Sequence, residues 1–274
     1  MTFTSRDLAI LQDIVSEAAQ IEIMPRFRAL GEGTVREKTS HLDLVTDADE
    51  NAEWRIRDAV AKAFPKALFV GEESVERDRS LLDKIAGADL AVIVDPVDGT
   101  SNFAWGLPLF GVLAAVVSKG ETIAGLIYDP VGRDWLAAIR GEGAYGISSG
   151  GGTSDLKVAR PAALSELTGV TSWYLMPEPR RSSLAANLAK TKATFAYRCA
   201  AYEYRLVAEG RCHFSLHYHL KPWDHAAGVL IHNEAGGYSA LLDGTPYTPI
   251  RHDGGIMSAP DRDTWNVLRD ALLT

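Results

Sequence analysis

Asp95 and Asp98 stand three residues apart in the segment L-A-V-I-V-D-P-V-D-G-T, residues 90–100. Residues 90–94 form a short apolar, β-branched run that reads as a buried strand. Pro96 and Gly99 break that run, so the strand hands both carboxylates to a loop. Two acids so placed repel each other. A divalent cation between them removes the conflict, and hard carboxylate oxygens suit Mg²⁺, Mn²⁺ or Ca²⁺ better than metals that prefer soft ligands. Other acids occupy comparable places. Residues 68–70 read as a strand running into Gly71-Glu72-Glu73, and Asp224 opens a helix in W-D-H-A-A-G that Gly236-Gly237 stops. Capping of the helix N-terminus explains Asp224 without any metal. Its company, Glu72, Asp95 and Asp98, makes it a candidate ligand.

The surrounding pattern predicts the elements that must bring these acids together. Leu8, Leu11, Ile14, Val15, Ala18 and Ala19 recur at helical spacing, which predicts an amphipathic helix over 5–30 that Pro25 kinks or breaks. A second helix is predicted from Thr46, where T-D-A-D offers a capping hydroxyl and first-turn acids, to Phe64 before Pro65. Asp49 then lies in its first turn. Strand-like runs at 110–118, 122–128 and 135–139, joined by turn sequences, predict an antiparallel meander. Glycine-rich residues 141–152 mark the best internal boundary. It separates an α+β half, 1–150, from an α/β half, 151–274, with strands near 168–174 and 213–217 and helices near 180–190, 199–209 and 224–235.

Composition narrows the classes of function. The 274 residues, 46% hydrophobic and 23% charged, are enough for a large core and argue against disorder. A formal net charge of −8, with no basic run beyond Arg180-Arg181, argues against nucleic acid as the main ligand. Cys199 and Cys212 have neither the number nor the spacing of a disulfide framework or a zinc site, which points to a reducing compartment. The N-terminal residues do not read as a secretory signal, and the longest apolar run, 107–117, is too short to span a bilayer. These features predict a cytoplasmic protein with no membrane partner.

The motifs G-E-E-S at 71–74, D-P-V-D-G-T-S-N-F at 95–103 and W-D-H-A-A-G at 223–228 together resemble those of the inositol monophosphatase family of metal-dependent, lithium-sensitive phosphatases. D-L-V-T-D-A-D at 43–49 and N-E-A-G-G at 233–237 are weaker matches in the same order. The resemblance implies a layered αβαβα sandwich of the sugar-phosphatase type, shared with fructose-1,6-bisphosphatases. It also implies a homodimer acting on a small phosphomonoester with two or three Mg²⁺ ions, Mn²⁺ being a plausible substitute.

Carried over by position, the resemblance gives one metal site to Glu72, Asp95 and the Val97 carbonyl. A second falls to Asp95, Asp98 and Asp224, while Glu72 shares a third through water and Glu73 lies outside the ligand shell. Thr100 would hold the attacking water and be oriented by Asp49, with Gly99 and Thr100 offering N–H groups to the phosphate. Lys38 matches a lysine near the mobile metal loop. The ordinary readings are a helix cap at Thr100, a solvated acid at Asp49 and a surface lysine at Lys38, and Asp47 is a second acid near Asp49. Metal-bound water chemistry agrees with the implied mechanism on independent grounds.

Other signatures in the chain point elsewhere. Cys199 and Arg205 satisfy the C-x₅-R spacing of cysteine phosphatases, but no glycine lies between them and the segment reads as helix. Asp47-Ala48-Asp49 has the D-x-D of aspartyl-phosphate enzymes without a preceding hydrophobic strand. His213, His217, His219 and His225 fall close enough in sequence for a zinc site. The resemblance itself weakens on the alcohol side of the pocket. His217 stands where the family has a glutamate contacting sugar hydroxyls, and Arg198 replaces a glycine before Ala200 and Ala201. Arg and His suit a second anionic group better than a neutral polyol. L-K-P-W-D at 220–224 also resembles the histidinol-phosphate phosphatase branch. Substrates therefore range from inositol monophosphate to histidinol phosphate, a sugar bisphosphate or a nucleotide 3′-phosphate. A non-catalytic role as an RNA-processing or transcription partner on the same fold is the alternative of another class.

Overall fold

The computed structural model describes residues 3–31, 33–40 and 43–274. Helix α1 (Ser5–Ala18) starts in a capping box between Thr4 and Asp7 and buries Leu8, Leu11 and Val15. The helix expected over 5–30 is not uniform: a π turn follows at Ala19–Ile23 and a 3-10 turn at Met24–Arg26. Pro25 has no N–H to offer the helical ladder, and the chain leaves the α form before reaching it. A hairpin of β1 (Val35–Ser40) and β2 (Asp43–Thr46) leads into α2 (Asp47–Ala63). Thr46 caps α2 as its sequence predicts, with Asp49 closing the capping box.

The next segment builds one large sheet. It contains β3 (Leu68–Gly71), the short helices α3 (Glu72–Arg77) and α4 (Ser80–Lys84), β4 (Ala91–Asp98) and α5 (Thr100–Ala104). The meander β5 (Gly111–Ser118), β6 (Glu121–Asp129) and β7 (Asp134–Ile139) follows, then β8 (Ala144–Ile147) and β9 (Thr153–Asp155). These strands lie side by side in chain order, β3 to β9, with β3 and β4 parallel and the remaining neighbours antiparallel. The glycine-rich stretch 141–152 does not end the sheet. It carries β8 between two turns, and the sheet runs on to Asp155.

A second sheet follows, made by β10 (Thr168–Thr171), β11 (Ala193–Phe195), β12 (Phe214–His217), β13 (Tyr238–Leu241) and β14 (Ile256–Ala259) in the order β11-β10-β12-β14-β13. Helices α6 (Arg180–Leu188), α7 (Ala200–Ala208), α8 (Pro222–Glu234) and α9 (Arg262–Leu272) connect or flank these strands.

Alternation along the strands sorts the layers. Val92 and Val94 of β4 pack with Leu8, Leu11, Ile56 and Val60 of α1 and α2, while Ala91 and Ile93 face Ala226, Ala227 and Leu230 of α8. Helices α7 and α8 also contact Val170, Leu241 and Ile256, so they lie between the two sheets. The far face of the second sheet packs Phe214, Leu216 and Met257 on Leu184 of α6 and Trp265 and Leu268 of α9. The result is the expected αβαβα sandwich. Among the described residues no helix is long and apolar enough to cross a membrane.

Candidate active site

Strand β4 carries both Asp95 and Asp98, rather than stopping at Val94 as its sequence pattern implies. In a regular strand residues three apart face opposite sides. Here Asp95 is opposite Leu113 and Asp98 opposite Gly111, so three steps on β4 match two on β5. That extra residue is a bulge around Pro96, and it restores the parity that puts both carboxylates on one side. Asp95 Oδ1 also accepts the N–H of Val97 at 3.0 Å, fixing the turn.

Asp224 arrives from the other layer. Its helix lies flat on the first sheet because the motif after it is small: a Cβ on Gly125 of β6 would sit 2.8 Å from the Ala227 carbonyl oxygen. Close approach brings the first turn of α8 to the end of β4. One carboxylate oxygen from each of Asp95, Asp98 and Asp224 falls within 4.8 Å of the other two.

Such crowding is visible in the proton affinities. Burial, followed by the charges of Glu72, Asp98 and Asp224, pushes Asp95 well above the ordinary carboxylate range. Burial likewise raises Asp224 to about 7 and Asp98 to about 6. Glu72 is the exception. Burial would raise it, but Lys221 and Lys38, each with Nζ 3.2 Å from Oε1, bring it down to about 2. Burial and the neighbouring Glu72 charge raise Glu73, which accepts from Lys38 at 2.6 Å, to about 7.

Thr100 begins α5 just after Gly99, which adopts φ +83°. Its Oγ1 lies 3.0 Å from Asp49 Oδ1 and 2.9 Å from the Val97 carbonyl oxygen. Asp49 is held from behind, its Oδ2 accepting from the Thr46 N–H at 2.8 Å and the Thr46 hydroxyl at 2.5 Å. Asp47 instead faces Arg36 at the surface.

The inositol monophosphatase family model matches residues 6–271. The chain belongs to this family. It is 31% identical to the inositol-1-monophosphatase of Bacillus subtilis, a match covering 83% of each chain. It is also 33% identical to Nus factor SuhB of Pasteurella multocida, over 74% of this chain and 73% of that one. The extragenic suppressor protein suhB from Bartonella henselae has the same fold, with a TM-score of 0.83, 28% identity and 98% of each chain covered.

For an inositol monophosphatase family member, the donor set suits a hard divalent cation. Every donor is oxygen, and burial together with neighbouring acids raises Asp95, Asp98 and Asp224, a conflict that a bound cation would relieve. The other chemistries do not assemble. Cys199 is buried and burial pushes its thiol well above its ordinary value, while Arg205 pairs with Asp134. Among the described residues the histidines form no zinc site either: His217 and His225 lie side by side, ring centroids 5.0 Å apart, but His213 Nδ1 meets Thr168, and His225 Nδ1 meets Tyr204 Oη while its Nε2 meets the His219 carbonyl.

Small-molecule sites enclose about 300–1,000 Å³, and here a cavity of about 610 Å³ joins the acids to Gly99, Thr100, Arg198, Ala200 and His217. Several of its features are not apparent from local sequence. Glu203 of α7 reaches into it beside His217, and Ser101, Tyr174 and Lys221 line it. Outside it, buried Glu53 accepts the Glu73 N–H at 2.7 Å and the Ser74 hydroxyl at 2.5 Å, holding the turn that presents Glu72. Glu53 leaves a trace in the sequence, an acid one turn after Asp49 on the same face as Ala52 and Ile56.

Proposed function

We propose that this chain hydrolyses a small phosphomonoester using Mg²⁺, with two or three ions at the site and Mn²⁺ as a working substitute. The reading rests on one juxtaposition: the cluster of Asp95, Asp98 and Asp224 beside the Thr100–Asp49 pair. Glu72, Asp95, the Val97 carbonyl, Asp98 and Asp224 would hold the cations. Bound there, Mg²⁺ supplies Lewis acidity toward phosphate oxygens and a water that ionises more readily.

The chain's own groups then orient the reactants. Thr100 has one hydroxyl proton and two acceptors, Asp49 Oδ1 and the Val97 carbonyl. Donation to Asp49 leaves the Thr100 oxygen free to accept an O–H from water and aim that water at phosphorus. Gly99 and Thr100 offer backbone N–H groups to the phosphate. Arg198, Ala200 and His217 meet the alcohol. Inositol monophosphate is the reference substrate, with histidinol phosphate, a sugar bisphosphate and a nucleotide 3′-phosphate as competitors. A cytoplasmic, lithium-sensitive homodimer belongs to the same proposal. A transcription-partner role, in keeping with the Nus factor name of one relative, is the alternative, and the retained acids and Thr100 weigh for hydrolysis.

The test is phosphate release from inositol 1-phosphate, histidinol phosphate, fructose 1,6-bisphosphate and adenosine 3′,5′-bisphosphate, with and without Mg²⁺. Release should require Mg²⁺, and Asp95→Asn should lower it by about a hundredfold or more. Release that ignores Mg²⁺, or an Asp95→Asn protein as active as the parent, would remove this reading.

A further inference from the structure

Arg198 has φ +57°, a left-handed backbone conformation that glycine adopts freely and a residue with a Cβ adopts at a cost. Strain of this kind persists where the surroundings enforce it. Glu203 enforces it here, its Oε1 accepting the N–H groups of Tyr197 at 2.9 Å and Arg198 at 3.2 Å. The conformation delivers a guanidinium to the cavity. Its Nη2 donates to Ser101 Oγ at 3.2 Å, and its central carbon lies 5.4 Å from the Trp105 ring centroid and 6.0 Å from that of Tyr174. Aromatic faces hold a cation without cancelling its charge.

The second observation is independent of backbone strain. His217 is only 5% exposed and lines the same cavity, yet among the described residues its Nε2 has no hydrogen-bond partner. Its Nδ1 is 3.4 Å from Glu203 Oε2, and its ring stacks on Tyr204 at 5.3 Å. A buried polar atom without a partner is costly, and a ligand hydroxyl removes that cost. One carboxylate, Glu203, therefore supports both an anion-binding cation and an unsatisfied polar atom. Burial keeps His217 neutral, so Arg198 supplies the charge of the pair.

Resting on the phosphatase reading, we infer that Arg198 and His217 form a second recognition site for the alcohol. It takes a phosphomonoester that carries a further anionic group, carboxylate or phosphate, on Arg198 and a hydroxyl on His217 Nε2. Arg198 is planar and five-fold donating, which suits either anion.

Two matched substrate pairs distinguish the anions: 3-phosphoglycerate against glycerol 3-phosphate, and fructose 1,6-bisphosphate against fructose 6-phosphate. Wild type should prefer the first member of at least one pair. Arg198→Gly, which relieves the backbone strain, should unfold at no lower temperature than wild type and reduce that kcat/KM ratio about tenfold. Arg198→Lys, which keeps charge but loses the planar fork, should retain part of the preference. Wild type without preference in either pair, or a variant in which both members of each pair fall together, overturns the inference. If inositol 1-phosphate releases phosphate and none of these four does, the inference is overturned and the phosphatase reading stands; if inositol 1-phosphate is silent as well, the phosphatase reading fails separately. Calorimetric titration of the same four compounds then decides the second site, and equal affinities within each pair overturn it.

Discussion

Asp98 accepts the backbone N–H of Ala201 at 2.5 Å. A carboxylate at the end of the first sheet therefore also satisfies the N-terminus of α7, and the Cys199 thiol donates to the same oxygen at 3.1 Å. Asp98→Ala removes that acceptor and should lower the free energy of urea unfolding by about 1–3 kcal/mol. Asp98→Asn keeps an amide oxygen for Ala201 and sheds a buried charge. In metal-free protein it should be at least as stable as wild type, while both variants lose Mg²⁺-dependent phosphate release. Equal destabilisation by the two substitutions would refute the structural half of this dual role.

Thr100 and Asp49 make the next prediction. A hydroxyl that orients water through Asp49 contributes to the rate, so Thr100→Val should lower kcat by about a hundredfold or more. Thr100→Ser retains the hydroxyl and should stay within about tenfold of wild type. Steady-state phosphate release reports both. A valine variant with near-normal kcat would leave Thr100 as no more than the start of α5.

The acid cluster predicts an unusual pH response. Asp224 and Glu73 are raised to about 7, and Asp95 is raised further above its ordinary value, each first by burial and then, against partial relief from Lys221 or Lys38 at Asp224 and Glu73, by neighbouring acids. Glu203, raised to about 8 by burial, adds to them. A folded-state pKa above the unfolded value gives stability that is complete at low pH and lost as pH rises through the folded pKa. Glu72, held near 2, runs the other way but completes its contribution in acid. Buried His225 and His232, lowered to about 4 first by burial, also favour the folded state as pH rises, but only up to an unfolded value of about 6.5. From pH 7 to 8.5, therefore, the thermal midpoint in EDTA should fall. Mg²⁺ should raise it more at the upper end, because cations bind the deprotonated acids. A flat midpoint in EDTA, or an equal Mg²⁺ effect at both ends, contradicts this account.

What could be read in advance follows the range of the interactions. Asp95, Asp98 and the T-D-A-D cap are local patterns, and the apolar runs of β4 to β7, punctuated by turn sequences, announce the sheet without knowledge of its partners. The bulge is different: its parity appears only when Leu113 and Gly111 lie opposite Asp95 and Asp98. Glu203 and Ser101 are ordinary residues in sequence, and their roles depend on a contact with Arg198, which lies 97 positions from Ser101. Hairpin β1–β2 is not legible in the sequence because V-R-E-K-T-S has none of the apolar alternation that marks a half-buried strand.

Lys221 supplies a last prediction, because at the proposed metal site it would compete with cations for the Glu72 carboxylate. Glu72 Oε1 meets both Lys38 and Lys221 at 3.2 Å, so a divalent ion that draws on Glu72 must weaken those pairs. The Lys221 ammonium also lies 5.7 Å from the Trp223 ring centroid, close to the first turn of α8. Lys221→Met preserves an apolar stem and removes the charge. Glu72 then holds a proton more tightly, since the cation that depressed its pKa is gone, and the comparison belongs at pH 8.5, where protons compete least. Under those conditions Mn²⁺ titration followed by electron paramagnetic resonance should show half-saturation at a several-fold lower concentration in the variant. Unchanged or weaker Mn²⁺ binding would show instead that Lys221 organises the acids for the metal and does not compete with it.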